Sequence, residues 1–113
     1  MRDDRERLKD ILDAIERIET YAARGRAAFE QDELIQVWFL RYLQIIGESS
    51  RALSANIREA YPEVPWAKIM GMRNILVHNY FEIDLPVVWN AVERELPNLK
   101  RQVASIIRKM GEA

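Results

Sequence analysis

The sequence predicts an all-α protein, an up-and-down bundle of four to five helices, on three observations. Apolar residues recur at three- and four-residue steps along most of the chain. No stretch alternates apolar and polar residues for long enough to argue a sheet. The breaks near 24–31, 61–65 and 80–86 are short, as helical hairpins require. A chain of 113 residues is expected to be one domain, spanning 1–113, with a single core. That size is small for a deep cleft, so a cleft of useful size calls for a second subunit.

Leu8, Ile11, Leu12, Ile15 and Ile18 share one face of a first helix over residues 4 to 23, with Asp3 or Asp4 as its cap and Gly25 ending it. A short polar connection leads to Asp32, which can cap a second, longer helix. Its apolar residues run from Leu34, Ile35, Val37 and Trp38 through Ile45 and Ile46 to Leu53 and Ile57. The first half of this helix is apolar around most of its circumference, which predicts burial on more than one side. Gly47 inside it costs about 1 kcal/mol relative to alanine, a cost that close approach of another backbone would offset.

Tyr61-Pro62-Glu63-Val64-Pro65 breaks that helix, and Pro65 suits the first position of a third, running to His78. Asp84-Leu85-Pro86 has the form of a cap followed by a first-turn proline, opening a fourth helix with Val87, Val88, Trp89, Val92 and Leu96. Pro97 is expected to kink or interrupt it before the period resumes from Leu99 to Met110.

Composition narrows the chemistry. With no cysteine there is neither a disulfide framework nor a thiolate zinc site, and a reducing cytoplasm is the simplest compartment. A single histidine argues against a histidine-based metal site. No stretch approaches the ~18 apolar residues of a membrane span, and the polar, acidic start Met1-Arg2-Asp3-Asp4-Arg5-Glu6 is unlike a secretion signal, so a cytoplasmic protein without membrane association is expected. The formal net charge is -1, so any attraction to nucleic acid must be local.

Reactive side chains gather in Arg73-Asn74-Ile75-Leu76-Val77-His78-Asn79-Tyr80, which brings a permanent cation, the only histidine and a phenol within eight residues. Metal-free RNA cleavage needs such groups. The ribose 2′-hydroxyl can act as an internal nucleophile if one group takes its proton, another protonates the departing 5′-oxygen, and a cation steadies the phosphorane. His78 suits the proton work and Arg73 the phosphate. Asn74, four residues before His78, lies on the same side of a helix and can orient the imidazole or donate to a phosphate oxygen. Arg73 and His78 are five residues apart, roughly 140° around a regular helix, so either the helix loosens near Asn79 or a partner subunit completes the site.

Each residue also has a plainer role. A lone histidine at a helix end commonly satisfies carbonyls, an isolated arginine commonly makes a surface ion pair, and Tyr80 and Phe81 taken alone are packing aromatics. Trp38, Trp66 and Trp89 read as core or interface anchors. Glu48 suits either a pair with Arg73 or Arg41, or an exposed helix edge. Lys100, Arg101, Arg108 and Lys109 suit either contact with phosphates or an acidic partner, or a solvated helix end.

The order R-x4-H-x-Y, followed by Phe81 and Asp84, resembles the signature of the HEPN superfamily and, within it, of the HepT-like toxins paired with minimal nucleotidyltransferase (MNT) antitoxins. The resemblance extends from Leu8 to Ile107. It includes Tyr21 to Phe29, Ile45-Ile46-Gly47-Glu48, Tyr61 to Trp66, Gly71-Met72-Arg73-Asn74, Val88-Trp89 and Leu96-Pro97. Ser49-Ser50, where alanines are usual, is a small departure that bears on packing.

The resemblance implies a HEPN-type bundle and a metal-independent endoribonuclease toxin that works as a homodimer without a cofactor. Arg73 and His78 would be catalytic and Asn74 the polar residue beside them. It also implies that a cognate nucleotidyltransferase antitoxin silences the nuclease by transferring AMP to Tyr80. Two other readings stand beside this one: a non-catalytic helical partner or substrate-presenting subunit of a nucleotidyltransferase, and a bare dimerisation module in which Arg73 and His78 share no cleft.

Overall fold

A computed structural model of the protein describes residues 3–77 and 84–111, and for 73–77 the backbone alone. Among the described residues there is no strand, and four long helices make an all-α bundle. These are α1 (Asp4–Ala22), α3 (Glu33–Ala52), α5 (Trp66–Val77) and α7 (Leu96–Gly111). Three short helices join them, α2 (Arg26–Gln31), α4 (Ala55–Ala60) and α6 (Leu85–Asn90), with a π-helical turn over Ala91–Glu95 between α6 and α7.

The caps follow the expected chemistry. The Asp3 carboxylate accepts from the Glu6 amide at 2.9 Å, Asp32 from Leu34 at 2.9 Å, and Asp84 from Val87 at 3.2 Å. Each satisfies an N–H that the first helical turn leaves without a carbonyl. Pro86 lies in the first turn of α6, where its missing N–H is not needed.

Three boundaries differ from expectation. The polar connection after α1 contains α2, because Phe29 is fully buried, stacked on Phe39 at 5.1 Å and tilted against Trp89 at 5.6 Å. Burying that ring draws its short, largely polar neighbourhood into a helical turn. Gly25 supplies the entry, with φ +94°, a region that costs other residues dearly.

The second helix stops at Ala52 instead of running through Ile57. Ser54 is extended, caps α4 through Ile57 N–H at 3.3 Å, and is gripped by Asp4 from the start of α1. The Asp4 carboxylate accepts from Ser54 N–H at 2.9 Å and from its hydroxyl at 2.6 Å.

Pro97 does not kink the last helix but lies in its first turn, behind the π turn closed by Leu96 N–H donating to the Ala91 carbonyl. A proline there has no N–H and crowds the carbonyl of Glu93, and the wider turn accommodates both defects.

The core runs between α1, α3, α5 and α7. Leu8, Ile11, Ile15 and Ile18 of α1 meet Phe39, Leu43 and Ile46 of α3, and Leu99, Val103 and Ile106 of α7 close the other side of α1. Burying each such side chain contributes roughly 1.5–3 kcal/mol before the entropy of ordering is subtracted. Gly47 is buried, and α5 packs along α3. On the surface, Glu19 accepts from Lys100 at 2.7 Å, tying α1 to α7 and holding that ammonium above the ordinary lysine range. No described helix is long and apolar enough to cross a membrane.

Candidate functional site

The reactive stretch is held at both ends by the bundle. Upstream, the turn Tyr61–Pro65 starts α5: Val64 N–H donates to the Tyr61 carbonyl at 3.2 Å, and the Trp66 indole N–H donates to the same oxygen at 3.0 Å. The Pro65 carbonyl receives the Ile69 N–H at 3.1 Å, so Pro65 sits just ahead of the helix and Trp66 opens it. Trp66, Ile69 and Met72 are buried and seat the helix against the core.

Arg73 and Asn74 therefore belong to the helical backbone of α5, as expected, one and two residues after the buried Met72. Their side chains lie outside what is described. His78 and Tyr80, together with Phe81, fall in residues 78–83, which also lie outside the described residues.

Downstream, the chain is caught again by α6. Val88 and Trp89 are buried, Trp89 facing the Phe29–Phe39 stack, and the indole N–H donates to the Glu93 carboxylate at 3.0 Å. The helix that holds Arg73 and Asn74, and the helix that follows residues 78–83 in the sequence, are thus each anchored by a tryptophan. An open groove lies against α6, with Arg26, Trp89, Asn90 and Arg94 among its walls. Arg26 is engaged by Glu30 at 2.7 Å, while Arg94 is exposed on the π turn and has no ion-pair partner among the described residues. Neither arginine stands out in the sequence, because only the packing of α2 on α6 brings residues 26 and 94 together.

The remaining candidates resolve into structural roles. Trp66 and Trp89 are core residues, and Trp38 is half-buried with its indole N–H on the Arg17 carbonyl at 2.8 Å. Glu48 occupies an exposed helix edge and accepts from Gln44 at 3.3 Å, without an ion pair to Arg41; the Arg73 side chain, its other expected partner, lies outside what is described. Of the basic C-terminal residues, Lys100 pairs with Glu19, Arg101 donates to Asn98, and Lys109 lies 5.6 Å over the Tyr61 ring.

Comparison with known proteins gives a consistent picture. The profile of a family described as "Ribonuclease HepT-like" matches residues 11–106. A Methanocaldococcus jannaschii protein named "Putative RNase" is 41% identical over 75 residues, covering 66% of this chain and 69% of that protein. A second protein of that name, from Caldanaerobacter subterraneus, is 38% identical over 81 residues, 72% of each chain. A "Probable ribonuclease HepT" of Thermococcus cleftensis is 38% identical over 96 residues, 82% of this chain and 86% of that one. No solved structure matches the chain significantly.

Proposed function

Because the chain belongs to the ribonuclease HepT-like family, we propose that it is a metal-independent endoribonuclease toxin whose reaction is carried by Arg73 and His78. The observation that carries this reading is the family match over residues 11–106, within which Arg73, Asn74, His78 and Tyr80 follow in order.

The chemistry follows from the side chains. His78, neutral, accepts the proton of the ribose 2′-hydroxyl as that oxygen attacks the adjacent phosphorus. A pentacoordinate phosphorane forms, and its extra negative charge is met by the Arg73 guanidinium. The bond from phosphorus to the 5′-oxygen breaks, that oxygen takes a proton, and the products end in a 2′,3′-cyclic phosphate and a 5′-hydroxyl. Asn74 orients the imidazole or a phosphate oxygen. Two protons move and each chain has one histidine, so a homodimer that places two copies of Arg73 and His78 in one groove fits the stoichiometry. Arg94 and Arg26 beside α6 offer further cationic contacts for flanking phosphates.

The regulator in this reading is a cognate nucleotidyltransferase. The Tyr80 phenol, deprotonated, attacks the α-phosphorus of ATP and pyrophosphate leaves, so that AMP becomes attached two residues from His78. The adduct's charge and bulk then exclude the RNA phosphate.

The test is expression of the chain alone and as His78→Ala, reading growth and RNA integrity together. Wild type should cut RNA with EDTA present, and His78→Ala should lose at least ~100-fold in rate while keeping its helix content. Cleavage that EDTA abolishes and divalent metal restores would refute the acid–base mechanism. A chain harmless and inert toward RNA would favour the non-catalytic partner. Co-expression with the nucleotidyltransferase should add AMP mass that maps to Tyr80 and is absent from Tyr80→Phe.

A further inference from the structure

Where α1 ends and α3 begins, six residues line a pocket of about 280 Å³ that the proposed reaction does not use. Its apolar walls are Tyr21, Ile35 and the half-buried Trp38, and Leu34 lies at its rim, 80% exposed. The Trp38 indole N–H is already given to the Arg17 carbonyl at 2.8 Å, so this ring offers the pocket apolar surface alone. Tyr21 meets Trp38 edge to face, with ring centroids 5.3 Å apart. The volume lies just under the ~300–1,000 Å³ of sites that enclose whole small molecules, and suits one planar ring system.

Two charged groups border this apolar space. Arg24 lies over the Tyr21 ring at 4.8 Å and has no ion-pair partner among the described residues. Resting on that ring, its guanidinium is pre-placed to meet an anion. Asp32 caps α3 with one carboxylate oxygen, which accepts from Leu34 N–H at 2.9 Å, and its other oxygen has no partner among the described residues. A ligand that satisfies the whole set has a flat, largely apolar ring, an N–H donor on its edge and an anion attached beside it.

We infer that this pocket takes one unpaired base of the RNA and selects bases that carry an exocyclic amine. The ring packs against Trp38, Tyr21 and Leu34, the amine donates to the free Asp32 oxygen, and the adjoining phosphate meets Arg24. Adenine, cytosine and guanine carry such an amine. Uracil's one edge donor, its ring N–H, is flanked by two carbonyl oxygens that a carboxylate repels, so uracil is disfavoured. The choice of RNA as the occupant rests on the ribonuclease reading. The pocket's place in the fold agrees with it, because α6, the helix that follows residues 78–83, is held through Trp89 on Phe29 and Phe39. Asp32, Leu34 and Ile35 lie between those two rings in the chain, so pocket and α6 share one end of the bundle.

Oligonucleotides with 2′-O-methyl riboses lack the attacking hydroxyl and so report binding without cleavage. The experiment is fluorescence polarisation with all-adenine, all-cytosine and all-uracil octamers of this kind, on wild type, Asp32→Asn and Arg24→Gln. Wild type should bind the adenine and cytosine octamers at least ~5-fold more tightly than the uracil one. Asp32→Asn keeps the cap on α3, since asparagine caps as well as aspartate, but sets an amide N–H₂ where the free oxygen was, and should abolish that preference. Arg24→Gln should weaken all three octamers alike and reduce the slope of log affinity against log salt by about 0.7. Both variants should melt as wild type does. Wild type that binds no octamer or binds all three equally, a preference that survives Asp32→Asn, or an Arg24→Gln variant with unchanged affinity and salt slope would overturn the base pocket. Cleavage of unmodified RNA by wild type and by His78→Ala tests the ribonuclease reading separately. A base preference without cleavage would sink that reading and leave the pocket, and cleavage without a base preference would do the reverse.

Discussion

The two sides of α3 obey different rules although they share one backbone. Its inner side is apolar and buried: Phe39 is fully enclosed in a cluster with the Phe29 and Trp89 rings, and Leu43 and Ile46 sit in the common core. Its outer side is also rich in apolar residues, yet Leu34 and Val37 stand in solvent and Arg41 is without an ionic partner among the described residues. Apolar content alone therefore does not distinguish a core from an unmet surface. The distinction lies in where charges interrupt the stripe, because the inner side carries none and the exposed side carries Glu33, Arg41, Glu48 and Arg51.

Substitutions on each side should separate the two behaviours. Phe39→Ala has the largest expected effect, a loss of about 3–5 kcal/mol, because it removes a ring from a three-ring stack and leaves a cavity. Urea denaturation at low protein concentration measures it, and the loss should not depend on concentration. Asp4→Ala comes next. It strips both acceptors from Ser54 at the end of α3 and should cost about 1–2 kcal/mol, with α4 the first element to lose protection in hydrogen exchange.

Ser50→Ala should go the other way. The Ser50 hydroxyl is fully buried on the inner side without a hydrogen-bond partner among the described residues, so alanine should raise stability by about 1 kcal/mol in the same assay. An unchanged or lower midpoint would show that the hydroxyl has found an acceptor. The smallest effect belongs to Leu34→Ser, which should move the stability of a dilute, monomeric sample by no more than ~0.5 kcal/mol. If it destabilised the monomer as Phe39→Ala does, the contrast between the two sides would collapse.

Much of this architecture is legible in the chain, and the reasons are local. Asp3, Asp32 and Asp84 announce three helix starts because a cap acts on amides two or three residues away. The features that escape reading depend on distant partners. α2 exists because Phe29 stacks on a ring ten positions along, and α3 ends at Ala52 because Asp4 holds Ser54 from fifty residues upstream. Pro97 signals an interruption, but its form as a π turn ahead of α7 depends on how the widened backbone packs.

The candidate site divides in the same way. Its residue types and their order stand in the sequence, inside the span 11–106 that the family profile matches. Helical propensity extends through Arg73 and Asn74 to Val77. Beyond that, the relative placement of Arg73, His78 and Tyr80 is a matter of tertiary and quaternary contacts that periodicity does not encode, and residues 78–83 lie outside those described.

The clasp between Asp4 and Ser54 makes the chain's fourth residue a reporter on its middle. Two hydrogen bonds close a loop of fifty residues, so the corner between α3 and α4 can be seated only when the first turn of α1 is also seated. A spectroscopic label at position 54 would therefore sense the seating of the first turn of α1, fifty residues away along the chain.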